Sequence, residues 1–127
     1  MRDNPSQSNT GALEPVSSAD MVIHTRARDL LEWLLPRLAQ CPREHRHGVA
    51  RHMAELVMRL HDVLVAARHV SANERAGLLL EADITLDQLR QYLHLAWRWH
   101  WLSEGQWAHV SELTGHIGRL LGGWRRR

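Results

Sequence analysis

The sequence predicts an all-α fold, an antiparallel up-down four-helix bundle built as one domain. Three observations carry that expectation. Apolar residues recur at steps of three and four along four separate stretches, no stretch sustains the period-two alternation of a half-buried strand, and the connections are short enough to join antiparallel neighbours. At 127 residues with 44% hydrophobic content, the chain can bury one sizeable core and is too short for two.

Residues 1–19 are rich in Asn, Ser, Pro and Gly with few large apolar groups, so they read as a disordered N-terminal arm. The bundle is assigned to residues 20–124 and a basic C-terminal tail to 125–127. The Ser17 to Asp20 S-x-x-D pattern precedes Ala27, Leu30, Leu31, Leu34, Leu35 and Leu38, which predicts a first helix over roughly 20–40. Pro36 lies inside this pattern and is expected to kink the helix or begin a new segment, with Cys41-Pro42 closing it. Val49, Met53, Leu56, Leu60, Val63 and Ala67 form an a/d seam that predicts a second helix over about 43–69. Leu79, Ala82, Leu86, Leu89, Leu93 and Ala96 predict a third over about 73–101. Ser103 and Gln106 read as a capping box, followed by Trp107, Val110, Leu113, Ile117, Leu120 and Leu121 as the apolar stripe of a fourth helix ending at Gly122-Gly123.

All 16 basic side chains are arginine, whose planar guanidinium presents several donors suited to phosphate. Residues 1–20 hold one arginine against three acids and the remainder 15 against 11, so the basic character belongs to the folded part and points to a polyanionic partner. The single cysteine, Cys41, cannot form an internal disulfide, and Met1 to Ser18 lacks the apolar run of a signal peptide, which together predict a cytoplasmic location. Glu32, Arg37, Glu55, Arg59, Asp83 and Arg90 interrupt every apolar stretch that could span a membrane, so no membrane association is expected.

The residues offer little for catalysis. Ten histidines are present, but no two stand three or four apart, so no pair is placed to chelate from one helical face. Glu44 and His47 form one Glu-x-x-His, the spacing of di-iron bundles, without the second copy such a centre needs. Glu55, Asp62, Asp83 and Asp87 sit on polar faces flanked by charges, and Cys41 adjoins a proline at a helix end. The expectation is a protein without catalytic residues, metal or cofactor.

Glu55 with Arg59 and Asp87 with Arg90 have spacings that suit helical ion pairs. Arg43 and Arg46 cluster with His45 and His47 at the expected start of helix two, where backbone donors would add to their charge at a phosphate. Arg125, Arg126 and Arg127 form the tail. The plainer reading of all these arginines is solubilising charge. The run Trp97-Arg98-Trp99-His100-Trp101 cannot point three indoles at one core, so at least one should lie outside it, to stack on a base or fill a pocket on another subunit. The subunit interface is the favoured use.

The stretch LSEGQWAHVSELTGHIGRLLGGW, Leu102 to Trp124, resembles the last helix of the accessory variability determinant proteins of diversity-generating retroelements, a group within the four-helix-bundle proteins named after ribosomal RNA intervening sequences. The resemblance continues in LLPRL at Leu34 to Leu38, Pro42-Arg43, HGVARHM at His47 to Met53 and EADITLDQLRQYLHLA at Glu81 to Ala96, covering nearly everything after the arm. His94 stands where many relatives carry a basic residue that stays charged, and Glu44-His45-Arg46 lengthens the approach to helix two.

The resemblance implies a barrel-like homopentamer that associates with the retroelement's reverse transcriptase and template RNA, or an RNA/DNA hybrid, and supports mutagenic reverse transcription and retrohoming. The polymerase would do the chemistry. The residues expected to contact nucleic acid or partner are Arg37, Arg43, Arg46, Arg51, Arg90, Arg98, Arg119, Arg125, Arg126 and Arg127, with Trp97, Trp99 and Trp101 at the oligomer interface. The alternative is a protein-protein scaffold without nucleic-acid affinity of its own.

Overall fold

The computed structural model describes residues 18–127, with side chains from 21 onward. The arm expected before residue 18 lies outside the described residues, and Ser18 and Ala19 already belong to a helix. Four α-helices follow: α1 (Ser18–Leu38), α2 (Val49–Ala67), α3 (Ala72–Arg98) and α4 (Glu104–Arg125), with a 3-10 turn at Arg43–His45 between α1 and α2. No strand occurs among the described residues.

Pro36 does not split α1, which continues to Leu38. Proline falls in the last turn, where the lost backbone donor removes a bond from the helix end rather than its middle. Arg37 reinforces that turn, with Nη1 donating to the Trp33 carbonyl at 2.6 Å while its guanidinium carbon lies 4.1 Å above the Trp33 ring.

The second helix begins later than its seam suggested, at Val49 instead of about residue 43. Arg43–His45 winds as a 3-10 turn after the extended Pro42, and Gly48, at φ −112° and ψ −103°, is non-helical and forms the N-cap. Once started, α2 buries Ala50, Met53, Leu56, Val57, Leu60, Val63, Leu64 and Ala67 along one face. Its last carbonyl is satisfied from the next helix: Arg75 donates through Nε to Ala67 at 2.8 Å, and through Nη2 to Val70 of the following turn at 3.1 Å.

A full capping box opens α3, in which the Ser71 hydroxyl accepts from the Glu74 amide and the Glu74 carboxylate accepts from the Ser71 amide. The helix stops at Arg98, short of residue 101, because His100 adopts φ 66°, a left-handed conformation that cannot continue a right-handed helix. Ser103 and Gln106 form the expected box at the start of α4. That helix runs through Gly122 and Gly123 to Arg125 instead of ending at the glycine pair. Leu121 and Trp124 are buried on its inner face, and burying an indole outweighs roughly 1 kcal/mol of lost propensity per glycine. Arg125 therefore projects from a helix.

Each helix packs on its sequence neighbour, α1 closes the ring against α4, and the diagonal pairs do not approach. His24 Nε2 near the start of α1 lies 2.9 Å from the Leu64 carbonyl near the end of α2, and Arg125 at the end of α4 meets Asp83 in the first half of α3 at 2.7 Å. These contacts fix antiparallel neighbours. The interior is one apolar cluster in which Leu30, Leu34, Leu60, Leu64, Leu89, Leu93, Ile117 and Leu121 are fully buried, each contributing about 1.5–3 kcal/mol through its removal from water. No helix among the described residues is long and apolar enough to cross a membrane.

Candidate nucleic-acid interface

The arginines divide by what their guanidiniums already hold. Arg37 is half-buried and engaged with Trp33. Arg46 donates through Nε to the Cys41 carbonyl at 3.2 Å and closes the turn before α2, with its exposed side chain outside any ion pair among the described residues. Arg51 pairs with Glu55 at 3.6 Å, and Arg59 reaches across to Glu81 on α3 at 2.6 Å. The expected Glu55 with Arg59 pairing is thus replaced by two others, because Glu81 lies on the facing helix. Arg119 pairs with Glu112 at 3.5 Å and Arg125 with Asp83, while Arg126 and Arg127 are exposed beyond α4.

Arg43, Arg90 and Arg98 are exposed and have no ion pair among the described residues. The expected Asp87 with Arg90 pair does not form. Arg90, His94 and Arg98 stand four residues apart and share one face of α3, a ladder of about 12 Å along the axis. The facing helix presents Ser111, Gly115 and Gly118, again at steps of four and three, so α4 offers little side-chain bulk opposite that ladder. The result is two depressions along the α3–α4 seam and a third that continues from them onto α3 and its C-cap. One is lined by Asp83, Ile84, Asp87, Arg90, Gly115, Gly118 and Arg119, the next by Arg90, Gln91, His94, Trp107, Ser111 and their apolar neighbours, and a third by Gln91, His94, Leu95, Arg98 and Trp99. Shared lining residues make the three continuous.

Aromatic rings border this strip at its upper end. Trp97 stacks on Trp107 with centroids 5.2 Å apart and planes 12° apart, and His94 touches both at 5.7 Å. Trp99 and Trp101 pack on the other side of the α3–α4 turn around His45, at 4.9 and 5.2 Å. None of the three indoles of the Trp97–Trp101 run enters the buried core, and Trp99 remains 42% exposed. The tryptophan the core does take is Trp124.

A family model described as bAvd-like matches residues 21–127. The chain belongs to the bAvd-like family. No curated protein and no solved structure matches it significantly. Membership places this bAvd-like chain with the accessory proteins of diversity-generating retroelements, a family that is in general not catalytic.

Within this bAvd-like bundle, the structure gathers Arg90, Arg98 and Arg119 on one face and leaves Arg37 and Arg51 elsewhere. Glu44 and His47 lie exposed in the turn before α2, away from the core where a dinuclear centre would sit. Sequence reasoning missed Gln91, Trp107 and Ser111 as partners of the arginine strip. The four-residue step from Arg90 through His94 to Arg98 was visible, but the opposing small-residue steps on α4 become meaningful only when the two helices are known to face each other.

Proposed function

We propose that this bAvd-like chain is a non-catalytic accessory subunit of a diversity-generating retroelement that binds template RNA, or an RNA/DNA hybrid, together with the reverse transcriptase, as a cytoplasmic homo-oligomer of barrel-like pentameric form. The observation that carries the nucleic-acid part is the α3 ladder, where Arg90 and Arg98 keep unpaired, solvent-facing guanidiniums on one face beside tryptophans. Arginine on phosphate supplies sequence-independent affinity, and flat aromatic rings supply stacking to unpaired bases. Oligomer and polymerase contacts are supported by exposed apolar groups on the same helix and at its C-cap: Leu80, Ile84 and the C-cap Trp99 are 47%, 50% and 42% exposed.

The test is binding of a labelled structured RNA to the purified protein at two salt concentrations. Roughly six to ten phosphate contacts across an oligomer correspond to a loss of about 10³ to 10⁵ in affinity between 50 and 200 mM salt. The competing reading, a protein-protein scaffold, rests on the exposed apolar residues of α3 alone. It requires polymerase binding that survives salt and no RNA affinity even at the lower concentration.

A further inference from the structure

We infer that the middle depression of the α3–α4 seam is a pocket for one unpaired nucleobase, so that the protein grips single-stranded RNA by a base as well as by its phosphates. This rests on the nucleic-acid reading above and specifies the form of strand it takes. The cavity holds about 230 Å³, below the roughly 300–1,000 Å³ of sites for drug-sized ligands and suited to a single planar ring. Its walls combine the Trp107 indole and the apolar side chains of Leu93 and Val110 with the polar groups of Gln91, His94 and Ser111.

The side chains of Gln91, His94, Trp107 and Ser111 make no hydrogen bond among the described residues, so a carboxamide, an imidazole, an indole N–H and a hydroxyl stay available at the rim. Stacking against Trp107 and hydrogen bonding to those groups is the combination a base edge and face require. Trp97, stacked on Trp107, braces that wall. Arg90 lines the same cavity and Arg98 lies two helical turns further along, placing a cation on either side of the entering base for the flanking phosphates. A duplex hides its base faces within the stack, so it can use the arginines but not the pocket.

The pocket exists because α4 carries Ser111 at that level, where a larger side chain would fill it. Ser111→Leu therefore closes the cavity without removing any charge, and Trp107→Ala removes its wall.

The test compares three probes at low salt: a short single-stranded RNA, the same strand with abasic riboses, and the same sequence as a full duplex. The abasic strand is expected to bind about 5- to 150-fold more weakly than the intact strand, the worth of one base–aromatic stack. Ser111→Leu should bring the intact strand down to the abasic level. Trp107→Ala should do the same, and circular dichroism shows whether that variant keeps its helices. Equal binding of intact and abasic strands to wild-type protein, within about twofold, overturns the base pocket and leaves phosphate contact intact. Failure of every probe to bind removes the nucleic-acid reading and the pocket with it.

Discussion

Arg37 on α1 and Arg98 on α3 are the same residue type in two regions of one bundle, and they are used in opposite ways. The guanidinium of Arg37 is spent internally, donating to the Trp33 carbonyl and lying over its ring beside a proline-weakened turn. Arg98 lies in solvent without an ion pair, on a ladder with Arg90 and next to indoles. The α1–α2 side holds most of the arginines that close the fold, among them Arg46 on the Cys41 carbonyl and Arg59 on Glu81. Arginine content alone therefore says little about a polyanion site. What decides is which guanidiniums the fold leaves without a partner.

Breaking the structural side of this comparison should have the largest effect. Arg37→Ala removes a hydrogen bond, a cation–π contact and the packing of a half-buried stem, and is expected to cost about 2 kcal/mol of stability in urea unfolding. The affinity of the remaining folded protein for RNA should not change. Ser103→Ala removes the hydroxyl that accepts from the Gln106 amide in the box that opens α4 beside the aromatic cluster, leaves the Ser103 amide donating to Gln106 Oε1, and should cost about 1 kcal/mol in the same assay. The smallest effect runs the other way. Gly77 lies in α3, exposed, with open space where a Cβ would go, so Gly77→Ala should stabilise by about 0.8 kcal/mol and raise the melting temperature by a few degrees without altering RNA binding.

Much of the fold could be read from the sequence because the periodic signals were long. The α2 seam from Met53 to Ala67 is buried as expected, and so are Leu79, Ala82, Leu86, Leu89, Leu93 and Ala96 of α3. The boundaries were less legible, for local reasons that three helix ends illustrate. Gly48 delays α2 through a backbone conformation that no side-chain pattern reveals. His100 turns left-handed between two tryptophans that would otherwise suit a helix. Gly122 and Gly123 look like a stop until Trp124 is seen buried behind them.

The candidate site shows the same limit. Arg90, Arg98 and Arg119 could be picked out as arginines, but Arg37, Arg46 and Arg51 could be picked out just as well. Separating them needed the side-chain geometry, which gives Arg37 the Trp33 carbonyl, Arg46 the Cys41 carbonyl and Arg51 the Glu55 carboxylate. The depression between Trp107 and Ser111 depends on two helices whose facing residues are some twenty positions apart in the chain, as Gln91 and Ser111 are.

The most direct test of the central claim, that the unpaired α3 arginines carry the polyanion contact while Arg37 serves the fold, is a salt titration of RNA affinity for wild type, Arg37→Ala and the double variant Arg90→Ala/Arg98→Ala. The double variant should lose affinity and flatten the dependence of log affinity on log salt by about 1.4 per subunit engaged with a single strand, with its unfolding midpoint unchanged. Arg37→Ala should keep the wild-type slope while unfolding at lower denaturant. An unchanged slope in the double variant, or a flattened one in Arg37→Ala, would contradict the account.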